Sequence, residues 1–331
     1  MLSRARKLAD DVLFPRALDV DVAGTVPNTG LDLLRDAGFY GLWSPVELGG
    51  CGLDELERLP IMEALAGGCL TTAFVWGQHA GSAASAARTP PGSALHERWA
   101  RPLATGAQRG GVAFAHVLRP EPCLCAERAG DDGWVLRGVA PFVTGWDHID
   151  TVLVAAHDAA RLVWILLPAC EAPTLRSRRL RLAAVDSSVT VELHFDRHFV
   201  RDDHVVEVID YGEWHAAYRR GLRTNGALML GVASRALALL GPTPLDAELH
   251  AARQALYAAG VDEMPERRAQ VGYIGIRATS ALVSSIGGRA ITLANHAQRL
   301  AREALFLLVQ GQTADIQAGH LHRLTTPAAA T

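Results

Sequence analysis

The chain has 331 residues, enough for two or three units of about 100 to 200 residues that each bury a core, so a small stapled scaffold is excluded. Hydrophobic residues make up 49% and charged residues 20%, which is too apolar and too weakly charged for long disorder. A net charge of -3 provides no basic face for a phosphate backbone, and the sequence has no apolar run of about 18 residues, so neither nucleic acid nor a membrane is an expected partner.

Residues 2–109 carry helical periodicity, with apolar residues three and four apart as in Leu31, Leu34 or Leu59, Met62 and Ala66. Four to six helices are expected there, broken at Gly38, over 44–52 and over 83–92, a run that closes in Thr89-Pro90-Pro91. From Gly110 to about Val206 the pattern changes to short runs bounded by turn residues, such as Val112-Ala-Phe-Ala-His116, Trp134-Val-Leu-Arg137 and Leu162-Val-Trp-Ile-Leu-Leu167. These predict about six strands in an antiparallel β-domain. No helices separate them, which disfavours a doubly wound parallel sheet. From Tyr211 onward, long Ala/Leu-rich stretches predict helices over 214–240, 245–259, 265–285 and 295–324, packed as a bundle. The reading is an α+β protein of three units: an all-α domain 1–110, a β-domain 111–206 and a helical bundle 207–331.

Five cysteines, an odd number spread over a long chain, predict free thiols, and the opening Met-Leu-Ser-Arg-Ala-Arg-Lys has no signal-peptide core. A cytoplasmic protein is expected. His194 and His198 have a spacing that places both rings on one side of a helix, but they fall in an alternating strand run, where they lie about 13 Å apart, so no metal site is expected. His79, on a helix, reads as a core or interface residue.

Several strings carry a resemblance. Gly38-Phe-Tyr-Gly-Leu-Trp-Ser-Pro-Val-Glu-Leu-Gly-Gly-Cys-Gly-Leu-Asp54 is similar to the G-x-x-G-L-x-x-P-x-x-x-G-G-x-G segment of the acyl-CoA dehydrogenase superfamily, and every fixed element is present. Gly133-Trp-Val-Leu-Arg-Gly-Val-Ala-Pro-Phe-Val-Thr-Gly-Trp146 resembles that family's segment alongside the flavin ring. Gly287-Gly288, Arg299-Leu-Ala-Arg-Glu-Ala304 and Gln310-Gly-Gln-Thr-Ala-Asp-Ile-Gln317 follow in the family's order. The resemblance implies a helical domain, an antiparallel β-domain and a C-terminal four-helix bundle. It implies FAD as cofactor, with contacts at Phe142, Thr144, Trp146, Gly287, Gly288 and Thr313, and an acyl-CoA or acyl-carrier substrate. It also implies a homo-oligomer, or a heteromer with a paralogous chain. Physical reading agrees in part, because on a strand Phe142, Thr144 and Trp146 share a face, two aromatics bracketing a hydroxyl. The same pattern also suits ordinary core aromatics.

The departures bear on chemistry. Where the family carries a T-E-P-x-x-G-S-D loop, this chain has His116-Val-Leu-Arg-Pro-Glu-Pro-Cys-Leu-Cys-Ala126, and Gly241-Pro-Thr-Pro-Leu-Asp246 replaces the family's R-x-x-F-G phosphate string. The family places its catalytic Glu, which takes the α-proton, at one of two positions: the first aligns with Gln310 or Gly311, neither of them a base, and the second, on the first bundle helix, falls in Arg219-Arg-Gly-Leu-Arg-Thr224, which holds no acid. His116 and Glu121, in the replaced loop, are candidates for an acid or base in an altered reaction, and Cys123-Leu-Cys125 reads as two thiols near a loop. The expected function is a flavin oxidoreductase subunit that needs a partner for its base. The alternatives are a flavin hydroxylase or non-redox enzyme on the same scaffold, or a flavin-free binding protein.

Overall fold

The computed structural model describes residues 1–119 and 121–326. Its first unit is helical. α1 (Leu2–Leu8) runs through a π-turn at Ala9–Leu13 into α2 (Phe14–Val22) as one rod. α3 (Asn28–Asp36) stops where Gly38 takes a left-handed backbone of φ 81°, a conformation that costs glycine little. α4 (Glu55–Gly68) starts from a reciprocal cap, in which Asp54 accepts from the Glu57 N–H and Glu57 accepts from the Asp54 N–H. α5 (Leu70–Gly77), α6 (His79–Arg88) and α7 (Arg101–Thr105) complete six helical rods, the last beginning with a π-turn at His96–Ala100.

Eight strands follow, two more than expected: β1 (Gly110–Ala113), β2 (Leu124–Ala129), β3 (Gly133–Val143), β4 (Thr151–Asp158), β5 (Arg161–Pro168), β6 (Leu175–Arg179), β7 (Val191–Arg201) and β8 (Val205–Asp210). Their order is β6-β7-β3-β2-β4-β5-β8, antiparallel except where β4 pairs in parallel with β1 and with β2. The strands with no counterpart among the apolar runs of the sequence, β2, β6 and β8, are short and partly exposed, so they lack the apolar alternation that marks a strand. The run expected to continue to His116 ends at Ala113, because Phe114 turns the chain into a 3₁₀ turn at Ala115–Leu118.

The remaining helices are α8 (Tyr211–Arg220), α9 (Arg223–Leu240), α10 (Pro244–Ala258), α11 (Met264–Ile286), α12 (His296–Val309) and α13 (Ala314–Thr325). Two stretches read as single helices are each two, divided at Gly221-Leu222 and over 310–313. The second break follows from Gly311 at φ 60° and from Thr313, whose hydroxyl caps α13 by accepting from the Ile316 N–H.

One apolar core joins the N-terminal helices to the bundle through Leu65, Leu230, Val271 and Leu300. The sheet has its own core around Leu136, Val154 and Leu193. An aromatic-rich third cluster, with Trp99, Trp164 and Trp214, fills the space between α6, β5 and α8. Arg299 and Glu303 form an ion pair at 2.6 Å inside the bundle. No helix among the described residues is long and apolar enough to cross a membrane.

Candidate functional site

The segment expected to line a flavin does not lie on one face of a strand. β3 loses register against β7 between Ala140 and Val143. Within that bulge Phe142 takes φ 60° and holds its ring half in solvent. Thr144 lies beyond the strand end and is 1% exposed; its Oγ1 is 2.9 Å from Thr190 Oγ1, which is 2.8 Å from Ser188 Oγ. Trp146 begins a 3₁₀ turn after Gly145 at φ 82° and packs against the sheet core. The bracketed-hydroxyl pattern is therefore corrected: a bulge adds a residue to the strand and breaks its alternation, so Phe142 faces outward while the Thr144 hydroxyl is enclosed.

Phe142 lines a hollow of about 320 Å³ together with Arg119, Cys123, Arg181 and Glu192. The two arginines were not singled out in the sequence, although Arg119 stands in the loop recognised as a replacement. His116, from the same loop, lies elsewhere. It is fully buried, its Nε2 donates to the Ala155 carbonyl at 2.8 Å, and burial lowers its pKa to about 4. It is a neutral core histidine, closed to any substrate, which corrects its candidacy as an acid or base. Glu121 is exposed. Cys123 Sγ donates to the Glu121 carbonyl at 3.6 Å, and Cys125 sits on β2. His79 is a satisfied core residue: its Nδ1 accepts from the Gly110 N–H at 3.0 Å, so Nε2 donates to the Leu103 carbonyl at 2.9 Å.

Gln310 and Gly311 form the turn between α12 and α13. The Gln310 carbonyl accepts from Arg268 at 3.2 Å, and Arg268 also donates to the Leu222 carbonyl at 2.9 Å. Arg268 is 3% exposed, and desolvation pulls its pKa down to about 10, so it stays charged at neutral pH. The Gln310 Oε1 atom is buried and has no partner. Gly311 fits because it lacks a side chain: a Cβ there would lie 1.9 Å from Asn225 Nδ2. Sequence reasoning missed Arg268 and Asn225. A charged residue beside the apolar run of α11 was the available signal for the first.

The structure brings Thr313 next to this turn as a helix cap. It does not bring Gly287 and Gly288 there. They follow α11, whose end lies about 28 Å of helix rise beyond Arg268, and a Cβ on either would meet nothing within 4 Å.

Comparison with known proteins agrees with this architecture. Residues 1–107 match the family model described as the acyl-CoA dehydrogenase N-terminal domain. The human mitochondrial short-chain specific acyl-CoA dehydrogenase is 24% identical over 254 residues, 74% of this chain and 60% of that protein. The chain thus spans less than two thirds of the length of this relative. An L-evernosamine nitrososynthase from a Micromonospora species is 28% identical over 233 residues, 65% of this chain and 53% of the relative. The crystal structure of a glutaryl-CoA dehydrogenase from Mycobacterium smegmatis in complex with FADH2 superposes with a TM-score of 0.81 at 18% identity, covering 99% of this chain and 94% of that one. In its N-terminal third the chain matches a family model of the acyl-CoA dehydrogenase superfamily, over most of its length it is similar to curated members of that superfamily, and its fold is theirs.

Proposed function

We propose that the chain is a flavin-dependent oxidoreductase subunit that acts on an acyl thioester, as acyl-CoA or on an acyl carrier, and that a paralogous chain supplies its base. The observation that carries this reading is the α12–α13 turn. Removing an acidic α-proton needs a carboxylate within hydrogen-bond reach. Here the aligned positions are an amide and a glycine whose Cβ space is taken by Asn225. Arg268 bonds the Gln310 and Leu222 carbonyls and so keeps this turn in place. Gln310 itself can orient a carbonyl by hydrogen bonding but cannot take a proton.

The residues present fit a flavin cofactor in part. The exposed Phe142 ring offers a stacking face, and Arg119 and Arg181 offer charge-assisted donors in the same hollow. FAD, when bound, would accept the hydride that leaves the acyl chain. The apolar side chains exposed on α12 and α13 support assembly through the bundle, with a second copy or with the paralogue.

A second reading is favoured by the relative named as a nitrososynthase, whose name denotes a reaction other than dehydrogenation. A hydroxylase that uses reduced flavin and oxygen needs no α-proton base, so the Gln310-Gly311 turn is equally compatible with it.

The deciding experiment is a visible spectrum of the chain expressed alone and after loading with FAD, followed by anaerobic addition of acyl-CoA. The expected result is a retained flavin band that substrate does not bleach until a paralogous chain or Gln310→Glu provides the carboxylate. Bleaching by the unmodified chain alone would overturn the missing-base reading. Oxygen consumption with an oxygenated product would favour the hydroxylase.

A further inference from the structure

The hollow at the end of β3 contains more charge than a stacking face requires. Arg119 and Arg181 reach it from separate loops, one before β2 and one after β6. Three carboxylate or thiol groups lie near them. Glu192 lines the hollow, but its charge is taken by Arg178 at 2.5 Å and by His194 at 3.3 Å, and these partners hold its carboxyl below the usual range. Asp186 pairs with Arg181 at 3.0 Å. Arg119 spends one N–H on the Cys123 sulfur at 3.7 Å. The charged residues that line the hollow itself are two arginines and one glutamate, a formal balance of +1, with Arg181 shared with Asp186 outside the lining.

A second, independent observation is the backbone of Phe142. A bulky residue at φ 60° inside a β-bulge is strained, and such strain persists where a fold re-aims a side chain. What it achieves here is an aromatic ring presented to the hollow instead of the core. A flat ring flanked by two forked donors is complementary to a planar base attached to phosphate groups: the ring stacks, and the guanidinium groups take the phosphate oxygens in pairs.

We propose that Arg119 and Arg181 bind the diphosphate of a nucleotide whose ring stacks on Phe142. FAD and coenzyme A both carry such a diphosphate. The FAD source rests on the flavin reading above, and the coenzyme A source does not. Arg119 lies in the segment that replaces the Gly-Ser phosphate loop, so the chain restores phosphate donors with side chains where it has lost backbone ones.

The test is titration calorimetry on the full chain with FAD, coenzyme A, ADP and riboflavin, repeated with Arg119→Ala, Arg181→Ala and the double variant. Both side chains are exposed, and an unchanged thermal midpoint establishes that the variants fold. Each single substitution is expected to weaken diphosphate ligands about tenfold, and the double variant about a hundredfold, with riboflavin binding unchanged. Arginine-dependent binding of FAD supports both readings. Arginine-dependent binding of coenzyme A and ADP, with neither FAD nor riboflavin bound, supports this site and removes the flavin. FAD binding that is unaltered in the double variant overturns the site and leaves the flavin reading standing. No binding of any of the four overturns both.

Discussion

Gln310 and Gly311 are neighbours that tolerate opposite substitutions. Gly311 combines φ 60° with a Cβ position that the Asn225 amide would have to vacate, so Gly311→Ala is expected to cost about 1–2 kcal/mol, mostly from the backbone, read as a lowered urea midpoint. Gln310→Glu keeps the shape and sets its new charge close to the Arg268 guanidinium, which already bonds the same residue's carbonyl. Because Gln310 Oε1 is buried without a partner, the new carboxylate must draw Arg268 over to be paired; a midpoint close to that of the parent is expected, and a strongly destabilised Gln310→Glu would show that Arg268 does not move to it. His79 and His116 make the chain acid-sensitive. Burial lowers both to about 4 in the folded state, whereas an unfolded histidine titrates near 6.5. Between those values the unfolded chain binds more protons, so stability is fully present above about pH 6.5 and is lost as the pH falls toward 4. The limiting slope is about 1.4 kcal/mol per pH unit for each histidine. Urea midpoints at pH 7, 6 and 5 should fall progressively, and His116→Gln should flatten that slope; a pH-independent midpoint would contradict the buried neutral rings.

Elements meet most closely where α4 crosses α9. A Cβ on Gly231 would sit 2.2 Å from the Glu63 carbonyl, and one on Gly67 would sit 2.9 Å from the Gly231 carbonyl. Both obstacles are backbone, so the helices must separate to admit a methyl group. Gly231→Ala should therefore lower stability by about 1–3 kcal/mol, although alanine favours helix, and a stabilised variant would show that the crossing is looser than described. Beside the crossing, Glu63 accepts from Arg253 at 2.6 Å and from the Tyr257 hydroxyl at 3.0 Å, which ties α10 to the same pair. Glycine pairs of this kind give no periodic signal, so the sequence predicts the two helices but not their contact. The caps carry a local signature that went unread: Asp54 with Glu57, and Thr243 with Asp246, are patterns that close their own hydrogen bonds.

For the whole molecule, the open question is what covers the bundle. Leu305 and Val309 lie four apart on α12, Leu321 and Leu324 three apart on α13, and all are exposed. Leu305→Asp with Val309→Asp should shift sedimentation toward the monomer while leaving the midpoint of the monomer unchanged; an unaltered sedimentation profile would place assembly on another face. The sequence by itself determined the order of helical unit, sheet and bundle, since periods of 3.6 and 2 are local properties of the chain. It also holds the motif strings, which are read from residue identity at each position alone. Only the tertiary structure decided where these residues point. A bulge in β3 separated Phe142 from Thr144, burial turned His116 into core, and the fold brought Arg268 to Gln310 and Asn225 to Gly311 from 42 and 86 residues away in sequence. Contacts of that separation depend on how helices cross and on which side chains are left without water, and neither is written in local spacing.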